Sequence, residues 1–216
     1  MILIGMFDSP YARRVAISLA LLDIPFEHRN WSVGRDFERI REFHPQGRVP
    51  TLVLDDGEVL TESAIIIDYI DQLVGPQQAL LPTAGVARRG AQAIIALATG
   101  AVDKGILLVM ERIFRPTEKH HEPFLERCRV QVHGALQALD ARCAARAGQW
   151  LVGDAMSQAD ITLACYANYL RDAVPLDLSP YPALLAHCAR CEALPVFRRF
   201  HVPFDAPIPT TPAHSA

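Results

Sequence analysis

The sequence predicts a small α/β domain with a mixed sheet, followed by an all-helical domain. Strand-like and helix-like patterns alternate over residues 1–75, whereas every periodic segment in 86–201 is helical. Between them, residues 74–85 (VGPQQALLPTAG) hold two prolines and two glycines without periodicity, as a linker does.

The elements follow in order. MILIGMF reads as a strand, and Pro10 to about Leu22 as a helix with Val15, Ala16, Leu19 and Leu22 on its apolar face. FEHRNW is a second strand candidate and FERIREF a short helix. In TLVLDDGEVL, Asp56-Gly57 stands between two apolar runs and signals a tight hairpin. Ser63 to about Leu73 returns to helix. Long amphipathic helices are expected over roughly Val86–Phe114 and Pro123–Ala147, with shorter ones at 157–171, 181–192 and 195–201. Residues 202–216 (VPFDAPIPTTPAHSA) carry four prolines and no period, the pattern of an extended or disordered tail.

Composition narrows the function classes. Of 216 residues half are hydrophobic, and the net charge of −3 offers no strong attraction to nucleic acid or an acidic membrane. AIIALATGAVDKGILLVM is interrupted by charges and glycines, so no membrane span is expected. The N-terminus has no charged leader followed by an apolar core, which points to a cytoplasmic protein. Cys128, Cys143, Cys165, Cys188 and Cys191 are odd in number and lie in helical segments, as reduced buried thiols do.

Four stretches carry chemistry. In DSPYARR, Ser9 precedes Pro10 at a helix start; it serves as an N-cap or as a hydroxyl aimed at a ligand. In GRVPTLVL, Pro50 belongs at the beginning of a strand, and a cis Val49-Pro50 bond would free the Val49 backbone to pair with an extended ligand. In LTESAIIIDYID, Ser63 reads as an N-cap, and the helix start it marks suits a carboxylate, with Glu62 placed for an ammonium. In GDAMSQADITL, Ser157 and Asp160 form a capping box and Met156 faces Ile161 as a hydrophobic staple; this is a stability element. Cys188-x-x-Cys191 lies on a late helix without a second pair, and the adjacent His120 and His121 point to different faces, so no metal is expected.

SPYARRV, GRVPTLVLDDG, ESAIIIDYID and GDAMSQADITLACYANYL, in this order, resemble the cytosolic glutathione transferase family of the bacterial serine type, over all but the tail. The resemblance implies a thioredoxin-like domain over 1–75, a helical domain over 86–201, glutathione as cosubstrate, and a homodimer. Val49 would pair with the cysteinyl part of glutathione beside cis Pro50. Glu62 and Ser63 would hold the γ-glutamyl end, and Arg48, with Arg35 beside it, the glycyl carboxylate. Ser9 would donate to the sulfur, with Tyr11 the second hydroxyl available. Phe7, Tyr11, Glu111, Arg112 and Phe114 would wall the pocket of a small electrophile.

Position 9 of this chain opens Ser-Pro-Tyr-Ala where thioredoxin-like redox proteins begin Cys-x-x-Cys, so exchange through a protein disulfide is disfavoured. The isomerase relatives of the serine type carry a cysteine shortly after the serine; Ala12 and Arg13 stand in that neighbourhood. Conjugation or reduction of an electrophile is therefore the expected activity. The alternative is a non-catalytic binding or assembly module on the same fold.

Overall fold

The structure is a computed structural model that describes residues 1–205 apart from 147 and 175. Four three-residue strands, β1 (Ile2–Ile4), β2 (Glu27–Arg29), β3 (Thr51–Val53) and β4 (Val59–Thr61), form one mixed sheet in the order β2-β1-β3-β4. β1 runs parallel to β2 with Leu3 opposite His28, and antiparallel to β3 with Leu3 opposite Leu52. A parallel pair needs a crossover, and helix α1 (Pro10–Leu21) supplies it. Leu3, Ile4 and Leu52 are fully buried at the centre. β3 and β4 form the hairpin that Asp56-Gly57 signalled, with Gly57 at φ 91° in the turn.

MILIGMF is strand only as far as Ile4. Gly5 takes φ +138°, and a Cβ there would stand 2.9 Å from the Val49 Cβ. Glycine thus ends the strand and lets the loop before β3 close on the start of α1. Helices α2 (Phe37–Arg41) and α3 (Ser63–Val74) complete this domain.

Five helices follow: α4 (Gly85–Phe114), α5 (Glu122–Ala145), α6 (Gln158–Ala173), α7 (Pro182–Glu192) and α8 (Pro195–Arg199). α6 is buried over most of its length because it packs on both α1 and α4. Gly105 lets α4 approach α6; a Cβ there would meet Leu170 Cδ2 at 2.3 Å. By length and composition α4 does reach the scale of a membrane span, with a mean hydropathy of 1.9 over 18 residues, contrary to the sequence expectation. In this fold its Ala91, Ile94, Ala98, Val102 and Val109 are core instead.

The segment between α3 and α4 is held to both domains. The Asp71 carboxylate accepts from Leu80 N at 2.8 Å and Leu81 N at 3.0 Å, while Leu80 O accepts from Gln158 N at 2.8 Å. All five cysteines are free and buried. Residues 206–216 of the proline-containing tail lie outside the described residues.

Candidate active site

The site begins where β1 hands over to α1. Ser9 is the N-cap of α1, its Oγ accepting from Ala12 N at 3.4 Å, with Pro10 at the first helical position. That contact uses one lone pair and leaves the hydroxyl hydrogen to donate. Ser9 also lines the principal cavity, so capping and ligand contact are compatible. Beside it, Asp8 is pushed above the usual carboxylate range by burial.

The loop before β3 approaches from the other side. The Val49-Pro50 bond is cis. Among the described residues the Val49 N–H and C=O enter no backbone hydrogen bond, and Val49 lines the cavity with Arg48. Arg48 Nη1 lies 2.7 Å from Glu62 Oε1, which ties this loop to the start of α3.

At that start the structure corrects the sequence reading. Ser63 is the first residue inside α3, not its cap; Glu62 holds the capping position at φ 66°, ψ 122°, without a side-chain cap. Such a φ is costly for a non-glycine residue and persists only under tertiary constraint. The Ser63 hydroxyl is taken up elsewhere, accepting from Arg14 Nη2 at 2.7 Å and Nε at 3.2 Å. Arg14 was invisible as a site residue in the sequence, because a buried arginine on an apolar helix face has no local signature. Neither Glu62 nor Ser63 lines the cavity itself; Arg48 connects Glu62 to it.

The cavity measures about 420 Å³ and is mostly apolar. Its far wall is α4, through Ile106, Val109, Met110, Ile113 and Phe114. Phe114, one of the wall residues the resemblance implies, lines this cavity. Glu111 and Arg112 do not: at about 100° per residue they fall on the other side of α4. There Glu111 pairs with Arg115 at 3.0 Å, and Arg112 donates to Ala173 O at 2.8 Å. The i, i+3, i+4, i+7 spacing of Ile106, Val109, Met110 and Ile113 was the available signal.

Phe7 also turns away, stacked on His28 with centroids 3.9 Å apart, while its neighbour Met6 lines the cavity. Phe7 and Asp8 form a turn closed by Ser9 N donating to Met6 O at 3.2 Å, and that turn swings Phe7 off the cavity. The Tyr11 ring does line the cavity, but its hydroxyl donates to Asp103 Oδ1 of α4. Burial and that carboxylate raise the Tyr11 pKa, so its proton is committed.

Arg35 lies beside the cavity and is engaged. Its Nη1 is 2.7 Å from Asp205 Oδ2, and Asp205 N donates to Asp8 Oδ2 at 3.3 Å. Phe204 meets Tyr169 edge-on at 5.7 Å, so residues 204 and 205 close one side of the cavity. A proline-containing tail gave no periodic signal for this.

A four-stranded mixed sheet with helices α1 and α3 and a cis-proline loop leading into its interior strand β3, joined to a helical bundle, defines a thioredoxin-like domain followed by an all-helical domain. Residues 3–78 match the glutathione S-transferase N-terminal domain, and residues 122–190 the glutathione S-transferase C-terminal domain. The uncharacterized GST-like protein YibF of Escherichia coli is 32% identical over 168 residues, 78% of this chain and 81% of its own length. Maleylacetoacetate isomerase of Rattus norvegicus is 30% identical over 98% of this chain and 95% of its own. A glutathione S-transferase of Methylobacterium radiotolerans, solved in complex with glutathione sulfonate, aligns with a TM-score of 0.88 and 30% identity over 96% of each chain. The chain belongs to the glutathione S-transferase family.

Proposed function

We propose that the chain binds glutathione and adds its sulfur to a small apolar electrophile, with residues 1–75 forming the glutathione-binding unit and 86–201 the helical domain. Val49 pairs with the cysteinyl backbone, Glu62 and Ser63 hold the γ-glutamyl end, and Arg48 meets the glycyl carboxylate. Arg35 serves that same end once it releases Asp205. The observation that carries the reading is Ser9, a hydroxyl with an uncommitted hydrogen on a cavity whose opposite wall is apolar.

Ser9 donates to the thiolate; the thiol proton leaves to solvent. A thiol of pKa about 8.5 is only a few per cent ionised at pH 7. A hydrogen bond to the charged form is worth roughly 1.5–3 kcal/mol, which lowers that pKa by about one to two units. The positive end of α1 acts in the same direction. The thiolate then forms the C–S bond as the electrophile expels its leaving group, or as the adduct carbanion takes a proton. Binding holds the partners together and supplies the remaining acceleration. Glutathione is a cosubstrate, and the chemistry calls for no metal.

Relatives named maleylacetoacetate isomerase support a second reading, in which the same thiolate adds to a cis-enedione and leaves after rotation. The apolar α4 wall suits a neutral substrate better than an acidic one. A homodimer follows from the family membership, and sedimentation tests it.

The deciding experiment is an ultraviolet titration of the bound thiol in wild type and Ser9→Ala. A thiolate pKa lowered by about one to two units in wild type and restored in the variant supports catalysis at Ser9. Coincident curves make Ser9 a helix cap and the protein a binding module. Turnover of maleylacetoacetate exceeding that of neutral electrophiles favours the isomerase.

A further inference from the structure

Two adjacent arginines of α1 are buried, and they differ in one respect. Arg13 has a counter-ion: its Nη2 lies 2.7 Å from Glu192 Oε2, with further bonds to the Phe197 and Phe200 carbonyls. Arg14 is 3% exposed, and among the described residues no acidic side chain lies within 4.0 Å of it. Its partners are neutral: Ser63 Oγ at 2.7 and 3.2 Å, Thr162 Oγ1 at 3.1 Å, and the Tyr166 ring at 5.1 Å. A buried cation without a counter-ion is costly, and a structural brace alone does not call for charge.

The hydrogen-bond inventory of Ser63 gives the direction. A serine hydroxyl has two lone pairs and one hydrogen. Arg14 supplies two donors to the oxygen, so the hydroxyl can act further only as a donor. It stands at the first position of the 12-residue α3, where no side chain caps the free N–H groups. Glu62, the acid next in sequence, is held by Arg48 at 2.7 Å. Cation, donor-only hydroxyl and uncapped helix start together call for an anionic acceptor.

Resting on the glutathione reading above, we propose that Arg14 is a positioning residue. It orients the Ser63 hydroxyl outward and waits for the α-carboxylate of the γ-glutamyl group as its missing counter-ion. Arg14 does not touch the ligand; it acts through Ser63 and its charge.

Calorimetry of the full chain tests this with glutathione and with the analogue whose γ-glutamyl α-carboxylate is a carboxamide. Wild type should prefer the acid by about 30-fold, the scale of a charge-assisted hydrogen bond. Arg14→Met should bring that preference below about 5-fold, and Arg14→Lys should recover part of it. Thr162→Val, which removes the α6 partner and leaves the charge, should keep the wild-type preference while lowering the melting temperature. Arg14→Gln carries the same comparison should Arg14→Met not fold.

An unchanged acid-over-amide preference in Arg14→Met or Arg14→Gln overturns the proposal, as does a Thr162→Val variant that loses the preference equally; Arg14 is then an interdomain brace. Wild type that binds both ligands alike overturns the seat at α3 while glutathione binding stands; wild type that binds neither overturns the glutathione reading itself.

Discussion

Two helix starts in this molecule are built in opposite ways. At α6, Ser157 and Asp160 close on each other: the Asp160 carboxylate accepts from Ser157 N at 2.9 Å, Ser157 Oγ at 2.8 Å and Leu151 N at 2.9 Å. His187 Nε2 completes the set at 3.4 Å from Asp160 Oδ1, and both side chains are fully buried. At α3 nothing caps the first N–H groups, the preceding residue sits at φ 66°, and a serine is fed by a buried arginine. A saturated helix start holds the fold together; an unsaturated one is suited to receive something. The same residue type, serine, serves both, and what surrounds it decides which.

The largest expected effect breaks the closed start. Asp160→Ala leaves the two backbone N–H groups, the Ser157 hydroxyl and His187 Nε2 without their buried acceptor, at a cost of about 3–4 kcal/mol. The check is chemical denaturation, where the midpoint falls while glutathione affinity of the folded fraction holds.

Acid should open the same cluster. Burial, with Arg190 and Arg146 nearby, lowers the His187 pKa from 6.5 to about 4. The ring therefore stays neutral in the fold, accepting from Arg190 at 3.2 Å on Nδ1, while the unfolded chain takes up a proton below its ordinary value. Stability from this group is complete above the unfolded pKa and falls as pH drops from 6.5 toward 4, by about 3 kcal/mol in all. Unfolding free energies across that window, with His187→Gln as the flattened reference, check it.

A paired comparison at the two serines should sharpen the contrast. Ser63→Ala should weaken glutathione binding by about 30-fold, or 2 kcal/mol, with a smaller stability loss from the stranded Arg14 donors. Ser157→Ala should cost about 1 kcal/mol of stability and leave affinity within about two-fold. Equal ratios of affinity loss to stability loss at the two positions would erase the distinction.

Features set by neighbours along the chain were legible. Period, caps and turns placed the helices, the hairpin, Ser9 at its helix start and the Ser157–Asp160 box, because each depends on residues within a turn or two. Side-chain direction on α4 was less so. The resemblance implies Glu111 and Arg112 as wall residues, whereas the apolar spacing of Ile106, Val109, Met110 and Ile113 marks the side of α4 that faces the cavity. Phe7 sits in the turn between β1 and α1, which carries its ring to His28 instead of the cavity.

By itself, the sequence determined the two-domain order, the elements and the positions of Ser9, Val49-Pro50 and Glu62-Ser63, since these follow from local backbone preference and short-range pattern. Only the tertiary structure decided what those side chains do. Arg14 reaches Ser63 across 49 positions and Thr162 across 148, Tyr11 donates a hydrogen bond to Asp103 across 92, and Asp205 takes Arg35 across 170. Such partners share no local period. Arg14 and its partners meet because packing α1 against α3 and α6 buries polar groups that must then find each other, whereas Asp103 and Asp205 reach Tyr11 and Arg35 from α4 and from the segment after α8.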